Sequence, residues 1–204
     1  MNKKRIREKR RARNPKKEIL QWLFWGGICI AVAAVVVILA LNSNPTAQAA
    51  TPIQEMNQVV QVTIASRNHI AIGTTLPTYN SDPPAGGDHY PETMPTKFYQ
   101  ESDLASLPQN PVGYLVHNLE HGYVIFWYNC QVYQGTCDDL MKKIQQVMSQ
   151  FGGVKVVAYP WHSIDVPVAL TSWGRLLRLS NPDSTLMTQF VQTYRFQAPE
   201  PNSP

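Results

Sequence analysis

The chain has 204 residues, 44% of them hydrophobic, and a formal net charge of +4. That length accommodates one ordinary domain with accessory segments and excludes a second full domain. The charge is unevenly divided: residues 1–18 carry ten Lys/Arg against Glu8 and Glu18, while residues 19–204 carry eight basic and twelve acidic residues, which removes the main argument for nucleic-acid binding by the rest of the chain.

Residues 19–41 (ILQWLFWGGICIAVAAVVVILAL) hold no charge and one polar side chain, Gln21. A helix of that length spans ~34 Å, enough for the ~30 Å hydrocarbon core of a bilayer. Trp22 and Trp25 fall near its first end, where indoles favour the membrane interface. Ten cations precede the segment and none occurs in residues 42–66, so the positive-inside bias leaves the amino terminus in the cytoplasm. The expected organisation is a basic cytoplasmic tail (1–18), a transmembrane helix (19–41), a linker (42–56), an extracytoplasmic domain (57–196) and a disordered tail (197–204). Ala47-Gln48-Ala49 has the look of a signal-peptide processing site, but the apolar run exceeds the usual length of a cleaved signal. Either reading exports the domain across the cell membrane.

Within the domain, Val59–Ile64 reads as a first strand. The Pro/Gly/Asp-rich stretch Gly73–Pro95 reads as a long ordered loop. A short helix is expected at Glu101–Leu107, and Tyr123–Tyr128 (YVIFWY) is the clearest strand, buried on both sides. Cys130 and Cys137, separated by a turn at Gly135, suit a disulfide in an oxidising compartment, with soft metal ligation as the alternative reading. Thr136 followed by two acidic residues opens a helix to about Gln150 with an apolar stripe at Leu140, Ile144, Val147 and Phe151. Strands are expected at Val154–Tyr159 and Val168–Trp173, and Asn181-Pro182 is expected to cap a last helix, Asp183–Tyr194. Strands mixed with helices in this way point to an α+β fold, a mixed α/β sandwich behind one membrane helix.

Four of the five histidines fall between Asn68 and Gly122. His117 and His121 are four apart, so one helical turn would aim both imidazoles at a common ion. His89, in the Gly-rich loop, supplies a third nitrogen if that loop folds over the turn; His69 or Met94 completes the set. A Met94 thioether would favour copper over zinc, and Asp88 and Glu120 are natural outer acceptors for ring N–H groups. The bland reading is that these histidines brace loops through hydrogen bonds to backbone carbonyls. His117-x-x-Glu120-His121 also matches the inverted zinc-peptidase pattern, although Gly122 and a strand follow it at once.

The strings NHIAIGTTLPTYNSDPPAGGDHYP, LVHNLEHGYVIFWY and VPVALTSWGRLLRL, in that order, resemble the bacterial domain of unknown function 3105 family over Val59–Tyr194. The resemblance implies an extracytoplasmic domain, often behind one membrane anchor. It also implies shared use of His69, His89, Tyr90, His117, Asn118, Glu120, His121, Trp173 and Gly174; it supplies no activity, and the Cys130/Cys137 loop is outside its pattern. The resulting expectation is a membrane-anchored, copper- or zinc-binding accessory protein of the cell envelope, with an envelope or respiratory membrane complex as its partner. The rival expectations are a structural subunit of such a complex, and a zinc hydrolase.

Overall fold

A computed structural model of the chain describes residues 58–204. The basic tail 1–18, the span 19–41 and the linker 42–56 expected from the sequence lie outside the described residues. Among the described residues no helix is long and apolar enough to cross a membrane.

The fold is α+β, built on a five-stranded sheet. Its strands are β1 (Val60–Gln61), β2 (Val124–Tyr128), β3 (Val156–Pro160), β4 (Val168–Ser172) and β5 (Arg175–Leu179), in the spatial order β1-β5-β4-β2-β3. β2 and β3 pair in parallel; the other neighbours are antiparallel. The helices are α1 (Pro111–Glu120), α2 (Cys137–Ser149) and α3 (Ser184–Tyr194), with a 3-10 helix at Glu101–Ser106.

Alternation along β2 decides the layering. Val124, Phe126 and Tyr128 pack on one side with Leu140, Ile144 and Val147 of α2 and Leu186, Phe190 and Val191 of α3. Ile125 and Trp127 point the other way, into a second core with Tyr114, Leu115 and Leu119 of α1 and with Tyr90 and Met94 of the long loop. Successive side chains of a strand leave on opposite faces, so the continuous apolar run YVIFWY is what a sheet covered on both faces requires.

Several local expectations hold. Thr136 caps α2, its side chain accepting the Asp139 N–H. Cys130 and Cys137 are disulfide-bonded, with Cα atoms 5.1 Å apart. Others need correction. Of the first expected strand only Val60–Gln61 is in ladder with β5, followed by one further bond from the Val62 N–H to the Gly174 carbonyl at 3.0 Å. β5 itself was not anticipated: Trp173-Gly174 reverses the chain in two residues, with Gly174 at φ 69°, and brings Arg175 opposite Ser172. α3 is capped by Asp183, whose carboxylate accepts from Thr185 and Leu186, and not by Asn181. Residues 197–204, expected as a disordered tail, are stitched onto the end of α1: the Glu200 N–H donates to the Glu120 carbonyl at 3.0 Å. Lys155 Nζ donates to the main-chain oxygens of His121, Pro201 and Ser203.

Candidate metal centre

Three segments meet at the end of α1. The first is the extended stretch Arg67-Asn68-His69, the second the glycine-rich loop carrying His89, and the third the last turn of α1 with His117 and Glu120. A parallel bridge joins His69 to His89: the Ile70 N–H donates to the His89 carbonyl at 2.8 Å, and the His89 N–H to the Asn68 carbonyl at 3.0 Å. Asp88 fixes the same junction, accepting the Asn68 N–H at 2.7 Å and the Ser66 hydroxyl. These bonds hold its carboxyl below the usual carboxylate range.

The loop docks on α1 through Gly113. The Tyr90 N–H donates to the Gly113 carbonyl, and a Cβ at Gly113 would sit 2.5 Å from the Tyr90 ring. The absent side chain therefore lets the loop lie flat on the helix. Gly86 and Gly87, at φ 139° and 140°, make the bend that turns His89 inward; a Cβ on Gly87 would meet the Tyr79 ring at 2.8 Å.

His69, His89, His117 and Glu120 each offer one donor atom, all within 4.8 Å of one another, and the group could hold a metal ion. Glu120 Oε2 lies 3.0 Å from His89 Nε2 and 3.5 Å from His69 Nε2. Those separations match the edge of ~3.3 Å that four ligands at ~2.05 Å make around a tetrahedral ion. The Glu120 carboxylate is buried, at the C-terminal and therefore negative end of a helix, where an anion is doubly disfavoured without a cation against it. Arg67, itself exposed, reaches only Oε1, at 3.8 Å.

The imidazoles repeat the demand for a cation. His89 is fully buried and both of its ring nitrogens face oxygen: Nδ1 lies 2.7 Å from the Gly87 carbonyl and Nε2 3.0 Å from Glu120. The carbonyl only accepts, so Nδ1 carries a proton and Nε2 meets the carboxylate through a second proton or a metal ion. His117 Nδ1 is buried with no hydrogen-bond partner. Burial, followed by the neighbouring His121, His89 and His69, pushes the His117 ring down to about 4, so at neutral pH it offers a free lone pair.

The sequence-selected residues divide accordingly. His69, His89 and His117 come together, and Glu120, expected as an outer acceptor, stands among the donors. His121, expected as a core ligand, is outside that group although its ring centroid is 4.4 Å from that of His117. α1 ends at Glu120, and His121 Nδ1 turns to the Pro204 main-chain oxygen at 2.7 Å, with Nε2 3.6 Å from Glu200. Asp88 clamps the backbone and takes no ring N–H. The Asn118 side chain bonds both backbone groups of Met94, and the Met94 side chain is buried in the core beneath α1. The Tyr90 hydroxyl donates to the Thr74 carbonyl. Trp173 stands edge-on to His89 at 6.2 Å, and Gly174 donates to Ala85 at the base of the loop. His162 pairs with Glu101 at the surface.

Sequence reasoning missed Gly113 and Arg67. Gly113 has a readable signal, a glycine in the first turn of an apolar helix, which marks close approach of another backbone.

Neither the curated proteins nor the solved structures provide a match to this chain. Residues 69–204, from the first histidine of the cluster through the strap over α1, match the family described as "Protein of unknown function (DUF3105)", and the chain belongs to that family.

Proposed function

We propose that this is a membrane-anchored extracytoplasmic protein whose domain binds one divalent transition-metal ion through His69, His89, His117 and Glu120, as a non-catalytic accessory of the cell envelope. The observation that carries the reading is the buried Glu120 carboxylate, opposed at Oε2 by His89 and His69 and flanked by an imidazole with an unpartnered Nδ1. One cation among these donors would neutralise the buried carboxylate and meet an imidazole nitrogen from each of the three histidines. Three nitrogens and one oxygen move the preference from copper to zinc, because Glu120 supplies a fourth donor without a thioether. Four protein donors also favour holding an ion over hydrolysis, which keeps one position open for water. The inverted zinc-peptidase reading needs His121 on the ion, and that ring is engaged by residues 200–204.

The test uses the full chain purified in mild detergent, stripped with chelator, offered zinc or copper and desalted. Elemental analysis should give near one ion per chain, falling to background in His89→Ala/His117→Ala and staying near one in His162→Ala. Wild-type protein that stays metal-free after this treatment would overturn the reading.

A further inference from the structure

The four donors are not equally covered. His89 and Glu120 are 0% and 3% exposed at the side chain, whereas His69 is 47% exposed; His117 is also buried. Three donors thus form a floor that cannot part without opening the core beneath α1, and the fourth closes it from the solvent side. The His69 backbone is pinned by the bridge to His89 and by the Asp88 clamp, so its side chain can swing while its segment stays docked.

Beside it stands a fixed cation. Arg67, two residues earlier on the same extended stretch and 60% exposed, lies 3.8 Å from Glu120 Oε1, while Oε2 faces the imidazoles. A divalent ion balanced by one carboxylate keeps a net positive charge, and Arg67 adds to it at the rim. Neutral His69 does nothing to reduce that charge. An anion in its place would, at the low effective dielectric of a half-buried site.

Resting on the metal reading above, we propose that the bound ion accepts an exogenous monoanionic donor, which displaces His69 and pairs with the Arg67 guanidinium. The exchange breaks one metal–nitrogen bond and forms one metal–anion bond. His69 leaves as neutral imidazole, with no change in oxidation state and no proton consumed. The site is then an ion held for presentation to an anionic ligand, and not a closed structural staple.

Cobalt(II), whose visible spectrum reports ligand number and type, serves as the metal, with azide as the anionic probe and imidazole as the uncharged comparison, all on the full chain. Azide should change the wild-type spectrum saturably and bind His69→Ala more tightly, since nothing has to be displaced there. Arg67→Gln should weaken azide binding about tenfold, in the range typical of outer-sphere partners, and leave imidazole binding unaltered. A cobalt spectrum indifferent to azide in both wild type and His69→Ala would overturn this inference while leaving the metal site standing. Equal weakening of azide and imidazole in Arg67→Gln would remove the pairing with Arg67. Absence of a cobalt spectrum together with no retained zinc or copper would overturn the metal reading itself, and this inference with it.

Discussion

His117 concentrates the electrostatic conflict of the site in one ring. In the folded protein burial and three neighbouring imidazoles hold it neutral down to about pH 4, whereas in an unfolded chain it takes a proton near 6.5. A base whose folded value is depressed contributes stability that is fully present above the unfolded value and is lost as pH falls toward the folded one. In the metal-free protein the urea midpoint should therefore decline from pH 6.5 to 4, and His117→Gln should flatten that part of the profile; an unchanged slope would contradict the assignment. The histidines themselves were legible from the sequence as a cluster, but their division of labour was not. A spacing of four selects His117 and His121 only if the helix continues through both. The last helical turn does close through His121, whose N–H bonds the His117 carbonyl and whose ring lies beside that of His117, but its Nδ1 is taken by Pro204 while the Glu120 carboxylate stands among the donors. Asp88 has the same history: an acid beside a histidine reads as its acceptor, yet the nearest donors in the fold are the Asn68 N–H and the Ser66 hydroxyl.

At the scale of elements, the strap formed by residues 196–204 braces the last turn of α1. The Phe196 and Glu200 N–H groups donate to the Gly122 and Glu120 carbonyls, and the Lys155 ammonium gathers the oxygens of His121, Pro201 and Ser203. Desolvation lowers the Lys155 ammonium from its ordinary value, and its three acceptors keep it in place. Lys155→Met should cost about 1.5–3 kcal/mol, the range for hydrogen bonds to a charged donor, and should expose residues 196–204 to proteolysis before the rest of the domain unfolds. Equal protease resistance in variant and wild type would count against the strap. None of this was legible locally: the tail's Pro, Asn and Ser read as a solvated end, and its partners lie dozens of residues earlier. β2, α2 and the Thr136 cap were legible because apolar period and capping chemistry are local. β5 carries no local signal, because RLLRL has no strict alternation; its pairing with β4 comes from the two-residue reversal at Trp173-Gly174.

For the molecule as a whole, the basic tail and the charge-free run 19–41 argue for export of everything that follows. A reporter joined after Pro204 through a flexible spacer should be active only on the outer face of the membrane; activity confined to the cytosol would sink the proposed topology. The disulfide between Cys130 and Cys137 agrees with an oxidising destination. The four candidate donors are scattered along the chain. They stand at positions 69, 89, 117 and 120, on a loop bridge, a glycine bend and a helix end that come together only through long-range packing. If the proposed ion is bound, its full set of four donors therefore exists only in the finished tertiary structure.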